Sequence, residues 1–527
     1  MIPALLSQGL LKSKEIYKYE DSYYYSLESI ILTLAILALC RVKNIEQIKN
    51  VRSGEIGRLI GMDRIPESKC LRDKVQYLAN QNKATQWNEE LMELWKDGLT
   101  DHTDGELILY VDGHVSIYNG YKATLAAKYI SRQKLCLSAT SEYWVNDGDS
   151  LPYMVVTGEL NEKLQEIIIH QIIPQLIKVG YIKSIEDPLT HPQTPQCTLV
   201  FDREAYDFDF FDKLWDQYRV AIITYRKYVK DKWADADFTP YEIMDNENKS
   251  TMYLCEKDYE RNSKKYREIR KLGTSGHQTS IITTHPTMNI LHIALYMFNR
   301  WTQENFFKYM MANYNFDQII EYGTESIDPE IKIVNPTYKK YNNQIKKLRE
   351  KLSRRKAHLY QFTNDQTELT IDEQKKMDIK KGAIVAEIQQ MKEQEKELIN
   401  LRSEQTYHIK LKDMPTEQQY DKLKTQSKLV INIIKMICYR AETAVANIVS
   451  EALSSKTDEK RMLVKQIIQT PADIFPDYQN NTLTVTIHSM SNQRYNQTVQ
   501  KLIEVLNESR AVFPGTELLM VFKSTAS

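Results

Sequence analysis

Two short apolar runs constrain this fold more than anything else in the chain. Residues 106–112 read ELILYVD and residues 197–202 read CTLVFD. Each is too short for a buried helix, and each closes on a carboxylate. An unbroken apolar run of this length is a strand covered on both faces, which belongs to a parallel part of a sheet clothed by helices. Between the two runs lie strand-like pieces at Val115–Tyr118, Lys134–Ala139 and Tyr153–Thr157, then an amphipathic helix over Leu160–Val179. A helix over Ala205–Gln217 and a strand over Val220–Tyr225 follow the second run. The order is an antiparallel strand group, helix, strand, helix, strand. Side chains at such strand ends stand at the mouth of the sheet, where ligands bind. A single Asp there says little, because caps and turns use Asp freely. Asp112 and Asp202, each closing an apolar strand, together point to a site.

With 527 residues the chain is expected to be multidomain α/β. Residues 1–104 read as a helical domain with DNA binding as one use. The stretch RVKNIEQIKNVRSGEIGRLIGM has a helix-turn-helix rhythm, but an all-helical packing domain is the favoured reading, and no base-reading helix stands out. Residues 105–335 form the sheet-based core, with a polar insertion at about 226–280 charged with both signs. Within and after it, Thr251–Cys255, Arg267–Leu272 and Thr279–Thr284 are strand-like, and 288–314 is helical. Residues 336–405 repeat Ile345, Leu348, Leu352 and Leu359, then Ile384, Ile388, Met391 and Leu398, as in an antiparallel helical hairpin. Residues 406–527 read as an α+β segment: a helix at 426–453, strands at Asn481–Ser489 and Leu518–Lys523, and a helix at Thr498–Ser509.

Charge narrows how an anionic partner could be held. Lys+Arg and Asp+Glu are 70 each, a formal net charge of +0, so no global field attracts polyanions. Local patches must do so. Residues 338–360 carry nine Lys/Arg against one Glu, a net of +8. The acidic residues of the second hairpin helix are largely matched by Lys. The first helix is therefore expected to keep a basic face, with Lys346, Lys347, Arg354 and Arg355 touching phosphates; the alternative is a solvated face. The six cysteines form no Cys-x-x-Cys pair, which disfavours a zinc ribbon or redox motif and suits a cytoplasmic setting. The longest apolar run, Ile30–Cys40, is too short to span a bilayer and reads as a buried helix, so no membrane partner is expected. There is no P-loop, dinucleotide fingerprint or nucleophile elbow.

The third chemical element is RWTQENFFK at 300–308, which puts Arg300, Glu304 and Lys308 on one helix face. Flanking aromatic residues imply that much of this helix is buried, and a half-buried ionised Glu needs partners. With VDGH around Asp112, FDRE around Asp202 and this helix, residues 105–315 resemble the DDE transposases of bacterial insertion sequences. Some of these carry a Tyr-x2-Arg-x3-Glu-x6-Lys signature. Arg300 and Glu304 fit it, but its Tyr falls on Met297 beside Tyr296, and its Lys falls on Met311, with Lys308 three places early.

The resemblance implies an RNase H-like mixed sheet core. Its catalytic and metal-binding residues would be Asp112, Asp202 and Glu304, holding Mg2+ with Mn2+ as a substitute. Arg300 and Lys308 would contact DNA or orient Glu304. The implied reaction is phosphodiester cleavage and strand transfer at insertion-sequence ends. The implied partners are double-stranded DNA with terminal inverted repeats, target DNA and a second copy of the chain, at the bacterial nucleoid. Two other readings stay open: a catalytically silent DNA-binding scaffold, and a nuclease that cuts without joining. Among lesser candidates, His114 reads as a packed strand histidine, and Asp147 and Asp149 as turn residues. Arg203 and Glu204 read as site-lining or locally bridged, and Trp233 as packing rather than base stacking.

Overall fold

The structure is a computed structural model. It describes the chain except for residues 21–23, 99–106, 119, 121–124, 126, 131–134, 159–161, 187–192, 246–247, 317–322, 326, 328, 331, 365–370, 416–418, 420, 454–456 and 526–527. Glu106, Lys134 and Leu160, which begin three of the expected elements, lie outside the described residues. The chain forms two compact units: 1–120, 126–323 and 423–527 make the first, and 121–125 with 324–422 the second.

The N-terminal part of the first unit is helical. Its helix α1 (Leu27–Leu39) begins at the Ser26 cap and is buried on nearly every face, which its all-round apolar sequence requires. Among the described residues no helix is long and apolar enough to cross a membrane.

A ten-stranded sheet follows. Its strands are β1 (Ile108–Ile117), β2 (Ala127–Ile130), β3 (Leu135–Asn146), β4 (Pro152–Gly158), β5 (Cys197–Phe201), β6 (Val220–Tyr225), β7 (Thr239–Asp245), β8 (Asn248–Arg261), β9 (Lys264–Leu272) and β10 (Gln278–Thr283). β1 pairs antiparallel with β3, and β3 with β4. On its other edge β1 runs parallel to β5, and β5 parallel to β6. Beyond β6 the insertion continues the same sheet as an antiparallel meander, β10-β9-β8-β7. Helix α2 (164–178) joins β4 to β5; its wide turn at Ile168–Ile172 ends beside Pro174, which has no N–H to give. Helix α3 (Phe208–Tyr218), capped by Asp207, joins β5 to β6.

The region expected as a single helical stretch at 288–314 is two helices, α4 (Ile290–Asn299) and α5 (Trp301–Tyr314), meeting at Arg300. The face of the sheet under α4 holds Ile108, Tyr110, Val200, Ile223 and Ile281 against Ile293, Ala294 and Met297. Leu109, Val111, Leu199, Phe201 and Ile222 belong to the larger core on the opposite face. The period-2 alternation therefore sends Asp112 and Asp202 toward the α4–α5 side.

The second unit contains α6 (Pro336–Asn364) and α7 (Ile371–Ser403). They are antiparallel, since Asn342 meets Arg402, Arg349 meets Glu395 and Arg355 meets Glu387. Ile345, Leu352, Ile384 and Ile388 are the buried seam.

In the first unit, the C-terminal helix α8 (Gln426–Leu453) packs against α1, β4 and the N-terminal helices. Its Lys428, Asn432, Lys435 and Glu442 are buried. Buried charges need partners. Lys428 pairs with Glu142 at 2.6 Å and donates to Ser116 at 2.9 Å, while Asn432 donates to Glu142 at 2.9 Å. Replacing Glu142 by Ala is expected to destabilise the protein by about 3–5 kcal/mol, because Lys428 would be left in the interior without its ion-pair partner. Denaturant unfolding checks this. The double variant E142A/K428M should recover part of the loss, and no recovery would mean that the pair is not the source.

Candidate active site

Asp112 and Asp202 are brought together by strand register. Parallel β1 and β5 align Val111 with Phe201, and each strand next carries its Asp. One correction follows: Asp112 does not end its strand. β1 continues on the β3 edge as far as Ile117, with Asp112 opposite Trp144, while β5 stops at Phe201. Asp112 thus sits where the sheet loses one neighbour and keeps the other. That opening leaves room for other groups to reach its carboxylate.

Arg300 fills that room. From the joint between α4 and α5, its Nη1 lies 3.4 Å from Asp112, and its Nη2 lies 3.9 Å from Asp202 and 3.1 Å from Glu304. One guanidinium is shared by all three carboxylates. Asp202 also accepts from the Arg203 N–H at 2.7 Å, and Asp112 from the Gly113 N–H at 2.9 Å. Gly113 could not carry a side chain here, since a Cβ would come within 2.9 Å of the Tyr143 ring.

Burial raises the Asp112 carboxyl to about 6; Arg300 opposes this, and Asp202 and Glu204 add to it. Glu204 is thus a fourth carboxylate acting on the same point, with one arginine against the group. The donor set is oxygen only and carries excess negative charge, which suits a hard divalent cation. As the side chains stand, Arg300 is the cation they share. Among the described residues, no three His, Cys, Asp or Glu are grouped closely enough to hold an ion directly.

Comparison with known proteins adds one decisive finding. A family model described as "Transposase protein" matches residues 1–526. The chain belongs to this transposase family. No curated protein and no solved structure matches it.

The transposase places its other expected site residues as follows. Lys308 is exposed one turn beyond Glu304 on α5. Lys346, Lys347 and Arg354 are exposed on α6 of the second unit. Arg355 differs from the expectation of an unneutralised face, because it pairs with Glu387 at 2.9 Å, as Arg349 does with Glu395 at 2.6 Å. Acidic residues of α7 face α6, which a residue count along the sequence does not reveal.

His114 packs against both Phe307 and Phe316, which stack on each other. Asp147 accepts from the N–H groups of Asp149 and Leu151 in a turn, and Ser150 of that turn meets Thr302 of α5 at 2.6 Å. Trp233 is held by Arg270 and Lys257, at 4.1 and 4.8 Å from its ring centre.

Two site residues escaped the sequence reading. Gln303 is buried, and its Nε2 lies within 3.2–3.4 Å of the Tyr110 and Trp144 carbonyls and Asn146 Oδ1, which pins α5 onto β1 and β3. Tyr225, at the end of β6, has its hydroxyl pKa raised by burial, lowered by Arg300 and raised by Asp202. The available signal was position: Gln303 precedes Glu304, and Tyr225 ends the strand beside the one leading to Asp202.

Proposed function

We propose that this transposase is of the DDE type, with an RNase H-like core, and catalyses metal-dependent strand cleavage and strand transfer at the ends of a bacterial insertion sequence. The observation that carries the reading is the meeting of Asp112, Asp202 and Glu304, from two adjacent strands and one helix, on a single guanidinium. The strand order β4-β3-β1-β5-β6, antiparallel on one side of β1 and parallel on the other, supports the core assignment.

When bound, Mg2+, or Mn2+ in its place, would supply activation of the attacking hydroxyl and charge stabilisation at the leaving oxygen. Asp112 is the most enclosed of the three carboxylates, with its side chain 24% exposed, and is the fixed member of the set. Asp202 and Glu304, at 47% and 51%, are accessible to solvent, as contact with DNA would require. Arg300 offsets part of the carboxylate charge at rest, and its planar fork also suits a DNA phosphate. Lys308 offers a second cation further along the same helix face. Gln303 keeps Glu304 at the level of Asp112. Bringing two element ends and target DNA together calls for a pair of protomers.

The test is a cleavage and joining assay with the full-length protein on DNA carrying the element's terminal inverted repeats, with Mg2+ and with EDTA. Cut and joined products only with Mg2+ are expected. Binding with no cleavage would favour the silent scaffold, and cleavage with no joining the nuclease.

A further inference from the structure

The helix that bears Glu304 is fixed at its other end by one carboxylate from the C-terminal segment. Glu442 of α8 has a side chain with 0% exposure. Both of its oxygens accept from Arg41 Nη2 at 2.9 Å. Tyr309 and Tyr314, both on α5, donate their hydroxyls to it, Tyr314 at 2.5 Å. Arg461 stands 3.9 Å away. Rings close the arrangement: Arg41 lies 4.5 Å from the centre of Tyr314, and Arg461 lies 4.5 Å from the centres of both Tyr309 and Tyr439. Arg41 itself is held in a left-handed backbone conformation, φ 62°, just past the end of α1.

A buried carboxylate with this many charged and hydroxyl donors has a defined position, because moving it strands several groups at once. Two of those donors set α5. Tyr309 and Tyr314 fix its rotation and height, while Gln303 fixes its first turn on the sheet. Glu304 lies between these anchors on a continuous helix. We infer that Glu442 is a positioning residue for Glu304, so that the C-terminal segment completes the active site without touching it. This rests on the reading of Glu304 as a catalytic carboxylate.

The variant E442Q keeps the shape and one acceptor, but it cannot serve two hydroxyls and a guanidinium. Cleavage turnover is expected to fall about 100-fold, as misplacement of a reacting group by an ångström does, with the KM for element-end DNA unchanged. Hydrogen exchange should quicken over 301–314 and stay the same over β1. The variant Y309F/Y314F removes the two donors and leaves the buried charge pair; it should show the same exchange pattern and a loss in the same direction. R41M/E442Q removes both charges. Its thermal midpoint should recover from that of E442Q while its turnover stays low. Turnover that returns together with stability would mean that Glu442 only supports the fold. Full turnover with unchanged exchange in folded E442Q would also overturn the inference. If the wild type itself does not cleave, the DDE reading fails, and the exchange over 301–314 still decides whether Glu442 holds the helix.

Discussion

Replacing Asp112 by Asn is expected to abolish strand cleavage and to make the metal-free protein more stable at neutral pH. The two effects share a cause. Burial, together with Asp202 and Glu204, lifts the folded-state pKa of Asp112 from 3.8 to about 6. Between those values the folded chain keeps a proton that the unfolded chain has released, so ionisation works against folding as pH rises. The penalty is absent below about pH 4 and complete above about pH 7. At about 1.4 kcal/mol per pKa unit it reaches on the order of 2–3 kcal/mol. Asn does not ionise and avoids it, while Arg300 retains Asp202 and Glu304 as partners. Thermal unfolding in EDTA across pH 4–8 checks this. The gap between variant and wild type should be widest at the alkaline end and close toward pH 4. Equal midpoints at pH 7.5 would show that the carboxylate carries no such cost, and unimpaired cleavage would remove Asp112 from the site.

The second large effect concerns DNA affinity. Changing Lys346, Lys347, Arg354 and Arg355 together to Gln should weaken binding and flatten its salt dependence. Each lost phosphate contact lowers the slope of log K against log salt by about one. The drop should be about three rather than four, because Arg355 already has Glu387 as a partner at 2.9 Å. Arg355→Gln alone should leave the slope nearly unchanged. Affinity measured on one DNA fragment from low to moderate salt decides the point. A folded quadruple variant with the wild-type slope would make the run a solvated helical face.

What the sequence made legible was whatever one element announces by itself. ELILYVD and CTLVFD could be read as strands because a run apolar on both faces has few other uses. The heptad-like spacing of Ile345, Leu352, Ile384 and Ile388 gave the hairpin for the same reason. Properties that depend on a partner were hidden. That β1 runs on past Asp112 depends on β3. The break between α4 and α5 falls at Arg300 with no Pro or Gly to mark it, and the charge of Arg300 is drawn to carboxylates from β1, β5 and α5. The neutralisation of Arg349 and Arg355 depends on which face α7 presents. The partners of Lys428, Asn432 and Glu442 were hidden likewise, because Glu142 and Arg41 lie hundreds of residues earlier.

The central place of α8 also imposes an order on synthesis. The ribosome delivers α1, the sheet and α5 well before Gln426–Leu453 emerges. Until then Arg41, Tyr309 and Tyr314 lack Glu442, and Glu142 lacks Lys428 and Asn432. A polypeptide interrupted before α8 would hold all three carboxylates of the site and lack the helix around which its first unit closes. Competence would then wait for α8, and products of the gene that stop before it would be silent.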